Sequence, residues 1–78
     1  MAVGDLQKQV GAHLRAYRLE RGMSQEAFAE FLGYHRTYAG ALERGERNIS
    51  LQSLEELAAR MGVETMELLG ERQNNASS

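Results

Sequence analysis

Apolar residues recur along this 78-residue chain at three- and four-residue intervals, the period of a helix that buries one face. Leu6, Val10, Leu14 and Tyr17 share a face over residues 5–21. Phe28, Ala29 and Leu32 do so over 25–32, and Tyr38 and Leu42 over 36–44. Leu51, Leu54, Leu57, Ala58 and Met61 form a buried stripe over 51–61, and Met66, Leu68 and Leu69 mark a last short helix over 64–69. The residues between these segments agree. Gly22, Gly33, Gly45 and Gly62 stand where helices stop, and Ser24 and Ser50 stand where helices start. Glu26 suits the positive end of the second helix, and Ile49 with Leu54 can form a hydrophobic staple around Ser50. Proline is absent, β-branched residues are scarce and alternating runs are missing, so strands are not expected. The pattern predicts an all-α, compact five-helix domain over residues 1–70, followed by a flexible polar tail, ERQNNASS, over 71–78.

Two of these helices are short, and only Gly33, Tyr34 and His35 lie between them. A three-residue turn containing glycine, between two short helices, is the sequence form of a helix-turn-helix, whose second helix presents its N-terminal residues to the DNA major groove. It is equally the form of a helical hairpin in any small bundle. The side chains favour DNA. The outward positions of the third helix are read as His35, Arg36, Thr37, Gly40, Ala41 and Arg44. Arg36 can make a bidentate contact to guanine O6 and N7, and Thr37 carries a hydroxyl and a methyl for a base edge. Arg44 and Arg47 are placed for phosphates at the far end of the helix, and Gln25 offers its amide and backbone N–H at the start of the second. Gly40 costs about 1 kcal/mol against alanine in mid-helix. The small run Ala39-Gly40-Ala41 is read as permitting a close approach to bases.

Charge sharpens this picture. The net charge is −2, which argues weakly against nucleic acid. Its distribution matters more: residues 8–47 carry a balance of +2 and residues 50–72 one of −3. A local basic face can hold phosphate while the rest of the molecule is acidic.

The run MSQEAFAEFLGYHRTYAGALERGERNISLQSLEELAARMGV resembles the Cro and phage-repressor (XRE-like) helix-turn-helix domain. HRTY…ERGERNIS is especially similar to the controller proteins of restriction–modification systems. The resemblance covers residues 10–69. It implies a repressor-like DNA-binding domain in which Arg36 and Thr37 read bases, Tyr38 and His35 lie near the DNA, and Ala41 stands at a further base-reading position. It also implies that Gln25, Arg44, Arg47 and Asn48 hold phosphates and that Arg18 and Glu43 tie helix one to helix three. The final helices of the family pair across a two-fold axis, which gives Val63, Met66 and Leu69 a place in a homodimer interface. The alternative is that these three complete the core of a single chain. Ala39 stands where a larger aliphatic residue is usual, so compensation is expected from Phe28. Phe31 stands at a usually polar position, where it either packs over helix one or contacts another protein.

Other chemistry is not visible. Cysteine is absent, so there are no disulfides and no thiolate metal sites. His13 and His35 lack partners at metal-ligand spacing, so no metal or other cofactor is expected. Glu55 and Glu56 are neighbours on a helix and diverge, and no catalytic constellation stands out. No apolar run reaches the ~18 residues of a membrane span, and MAVGDLQKQ lacks the basic and apolar regions of a secretory signal. The expectation is a cytoplasmic, dimeric regulator of transcription that binds double-stranded DNA at a palindrome and responds to no small-molecule effector. A protein-interaction module, such as an antitoxin or adaptor on the same scaffold, is the alternative.

Overall fold

The computed structural model describes residues 4–70. They form five helices: α1 (Asp5–Glu20), α2 (Gln25–Leu32), α3 (Arg36–Glu43), α4 (Leu51–Met61) and α5 (Thr65–Leu69). The polar tail expected over 71–78 lies outside the described residues.

Local chemistry sets the boundaries. The Ser24 hydroxyl accepts from the Ala27 N–H at 3.0 Å and the Ser50 hydroxyl from the Ser53 N–H at 3.0 Å. Each satisfies one orphan donor of a first helical turn. At the other end of α2, Gly33 takes a left-handed φ of 80°, and the Tyr34 N–H reaches back to the Ala29 carbonyl at 2.9 Å. That reversal turns the chain into α3 within three residues, and only glycine adopts it without strain.

The core is assembled from all five helices. Val10, Leu14, Phe28, Leu32, Leu42, Leu54, Leu57, Ala58, Met61 and Leu68 form one buried cluster, with Tyr17, Tyr34, Tyr38, Ile49, Val63 and Leu69 packed around it. α3 lies against both α1 and α2, while α5 packs on α1 and α4. At Gly11 of α1, an added Cβ would stand 2.4 Å from the Glu43 carbonyl oxygen and 2.6 Å from that of Leu42. The backbones of α1 and α3 therefore touch where only a hydrogen fits.

Two positions depart from the periodic reading. Leu51, assigned to the buried stripe of α4, is 77% exposed, and Leu6 of α1 is also exposed. Both belong to terminal turns, where the helix projects beyond its neighbours. With Val10, Ile49, Leu54, Leu69 and Gln7 they line an apolar groove of about 120 Å³. Phe31 does pack over helix one: its ring stacks 6.2 Å from Tyr17 and 6.2 Å from Phe28. It remains 39% exposed, while Phe28 and Ala39 are both buried.

Candidate nucleic-acid interface

α3 is presented by a network beneath it. Arg18 of α1 donates from Nε to Glu43 Oε2 at 2.8 Å and from Nη2 to Oε1 at 3.1 Å. Its Nη1 donates to the Met23 carbonyl at 3.2 Å. Gln25 Nε2 donates to Glu43 Oε1 at 3.2 Å. The Glu43 side chain is only 3% exposed, yet both oxygens are satisfied. Charge burial is costly without such pairing. One carboxylate thus joins the C-terminal end of α3 to α1 and to the first residue of α2.

The other end of α3 is open. His35 caps it, its Nδ1 accepting from the Thr37 N–H at 3.2 Å. That role needs a lone pair on Nδ1, so the neutral ring carries its proton on Nε2 and can donate it outward. His35, Arg36 and Thr37 are all exposed. The Arg36 guanidinium lies 3.8 Å from Glu26 of α2, and both side chains are mostly in solvent. Tyr38 is half-buried and meets Tyr34 edge-on, with ring centroids 5.0 Å apart. Burial, then the neighbouring Tyr38 and Glu56, push the Tyr34 phenol above its ordinary value, with Arg60 opposing. It therefore stays a neutral donor beside the turn.

Past the end of α3, the Arg44 Nε lies 3.1 Å from Glu46 Oε1. The Arg47 guanidinium sits 5.1 Å from the Tyr38 ring centroid, within cation–π range. Asn48 Oδ1 accepts from Gln7 Nε2, which ties the loop after α3 to α1.

The middle of α3 corrects the sequence reading. Gly40 and Ala41 were expected to face outward, with Ala41 among the base-reading residues, but both are buried, and Ala41 is 8% exposed. An added Cβ at Gly40 would lie 3.2 Å from Arg44 Nη1 and 3.4 Å from Gln25 Oε1. Side chains from either end fold over this position. The small residues let helices and side chains close upon the middle of α3.

The helix-turn-helix family model matches residues 14–68, which run from the middle of α1 through most of α5. The chain belongs to the helix-turn-helix family. Over 65 residues it is 40% identical to a hypothetical transcription factor of Neisseria meningitidis serogroup B; the match covers 83% of this chain and 61% of that protein. The chain thus spans less than two thirds of that relative's length. It is also 40% identical over 65 residues to control protein C.SmaI of Serratia marcescens, covering 83% of this chain and 77% of that one. The crystal structure of the restriction-modification controller protein C.AhdI from Aeromonas hydrophila aligns with a TM-score of 0.68 and 40% identity, over 80% of this chain and 94% of that one.

In this helix-turn-helix unit Gln25 and Arg44 close over Gly40, Arg36 and Thr37 stand exposed at the N-terminal end of α3, and Arg47 and Asn48 follow in the next loop. Val63 and Leu69 stand apart from them, half-buried against the core, while Met66 is 73% exposed. Sequence reasoning missed three contributors. Gly11 carried a signal, a glycine in mid-helix with no local reason for it. Glu26 and Glu46 carried only a weak one, each being an acid near a basic residue. Among the described residues no three or more His, Asp or Glu gather as a metal shell, and no helix is long and apolar enough to cross a membrane.

Proposed function

We propose that this protein is a sequence-specific DNA-binding regulator of transcription, with α3 as its recognition helix in the major groove. The observation that carries the reading is the asymmetry of α3: an open N-terminal end bearing His35, Arg36 and Thr37, held from beneath by a buried ion pair. Arg36 and Thr37 read base edges, with Tyr38 and His35 beside them. Gln25, Arg44, Arg47 and Asn48 hold the phosphates around them. The protein acts by binding, in the cytoplasm where its operator lies, and performs no chemistry of its own. Its likeness to control proteins supports a role as the controller of a restriction–modification system.

The regulator works as a homodimer on a palindromic operator. A domain this small buries only about 60% of its unfolded surface, and the groove lined by Leu6, Leu51 and Leu69 leaves apolar surface uncovered. Covering it with a second copy, together with exposed Met66 of α5, would set two recognition helices about 34 Å apart, one turn of DNA. Sedimentation is expected to find a dimer at micromolar concentration, and Leu51→Asp to shift it to monomer. A wild-type monomer that binds a single half-site would refute this arrangement. The adaptor alternative draws on the acidic second half of the chain and on Phe31, whose ring has Tyr17 and Phe28 as stacking partners.

In-vitro selection from random duplexes tests the main claim. It is expected to return a palindrome, and Arg36→Ala is expected to bind it roughly 1–3 kcal/mol more weakly, with preference relaxed at one base position per half-site. Unchanged binding by Arg36→Ala would remove that residue from the readout.

A further inference from the structure

Both ends of the recognition helix carry an arginine that is already engaged by an acid of the same chain. Arg36 Nη1 faces Glu26 Oε2 at 3.8 Å, and Arg44 Nε faces Glu46 Oε1 at 3.1 Å. All four side chains are more than half exposed. Exposed pairs of this kind add little to stability, so folding does not account for them. Their position bears on binding instead. Resting on the DNA-binding reading above, we propose that Glu26 is a specificity-determining residue and that Glu46 is a general brake on DNA affinity. Each is a counter-charge that holds its arginine away from phosphate, so that random DNA is gripped weakly.

The physical case differs between the two pairs. A phosphate approaching Arg36 must compete with the Glu26 carboxylate for one guanidinium, and whichever anion is displaced stays within a Debye length of the other. The exchange swaps one ionic contact for another and adds repulsion. A guanine edge behaves differently. Its O6 and N7 are uncharged acceptors that suit the planar fork of arginine. Glu26 is held through Nη1, which leaves N–H groups on Nη2 and Nε free to donate to the base. The carboxylate therefore penalises phosphate at Arg36 far more than it penalises guanine. At the other end Arg44 has only phosphates within its expected reach, so Glu46 weakens operator and random DNA alike.

The two acids make separable predictions. Glu26→Gln keeps the shape and removes the charge. It is expected to raise affinity for a random duplex about three- to tenfold while changing affinity for the selected operator less than twofold. The slope of log affinity against log salt on random DNA should steepen by about one, the signature of one further neutralised phosphate. Glu46→Gln should strengthen both duplexes by the same factor. Glu30→Gln, an exposed acid one turn along α2 with no arginine partner, controls for net charge. The inference is overturned if Glu26→Gln leaves random-DNA affinity and slope unchanged, if it strengthens operator and random DNA equally, or if Glu30→Gln matches it. Equal thermal melts of all three variants and the wild type exclude a folding effect. A wild-type chain that binds no duplex overturns the DNA-binding reading together with this one. One that prefers its operator, with variants unaltered, overturns this inference alone.

Discussion

The two ends of α3 are built on opposite plans. At the C-terminal end, Glu43 is buried, receives three hydrogen bonds from Arg18 and Gln25, and lies where the α1 and α3 backbones touch at Gly11. At the N-terminal end, Arg36 and Thr37 stand in solvent, and the one ion pair there spans 3.8 Å. One end fixes where the helix points, and the other is the end we propose for base reading. Because the two tasks use different residues, stability and recognition should respond to different substitutions.

The largest test of that separation is Glu43→Ala. Removing one partner of a buried pair leaves Arg18 uncompensated, at a cost of about 3–5 kcal/mol. Chemical denaturation should read this as a midpoint falling far below that of the wild type. A loss under 1 kcal/mol would mean that α3 is not held by this carboxylate. Gly11→Ala comes next. Helix propensity favours alanine by about 1 kcal/mol, but the new methyl meets backbone oxygens that cannot rotate away. The net expectation is a loss of about 2 kcal/mol, and at this chain length the melting temperature should fall by roughly 8–16 °C. Arg36→Ala should leave the same melt unmoved while weakening the operator complex, so measuring both quantities on each variant sharpens the contrast. The smallest effect is expected at Gly40, between the two ends. A methyl there presses on the flexible tips of Arg44 and Gln25, which can yield. Gly40→Ala should therefore gain about 0.5–1 kcal/mol of stability and lose a little DNA affinity as those side chains move. A destabilised Gly40→Ala would show that Arg44 and Gln25 are locked in place.

Much of the fold was legible because its signals are local. Ser24, Ser50 and Gly33 act on neighbours three to five residues away, and the hydrophobic period locates Val10, Leu14, Leu54 and Leu57 without knowledge of the partner helix. The reading failed where a residue's environment comes from afar. Leu51 fits the stripe of α4 by period, yet it lies in a turn that overhangs the core. Gly40 and Ala41 fall on the outer side of a helical wheel, but Gln25 and Arg44 fold over the first, and α3 has neighbours on two sides. Small residues cannot announce which surface they serve. Arg36 and Thr37 were legible as exposed groups because the start of a short helix after a tight turn has little to cover it. The pairing of Arg36 with an acid was not, since Glu26 lies ten positions before it and only the turn brings them together.

The packing of α5 on α1 has a consequence for how the molecule comes into being. Leu68, near the end of the described chain, is fully buried in the same cluster as Val10 and Leu14 near its beginning. His13 of α1 donates through Nε2 to the carbonyl of Gly70. During synthesis, α1 therefore waits with part of its apolar face uncovered until α5 has been made. The recognition helix has no finished scaffold before then, because α1 carries the Arg18 that holds it. Translation would have to pass α5 before α3 could be held in place.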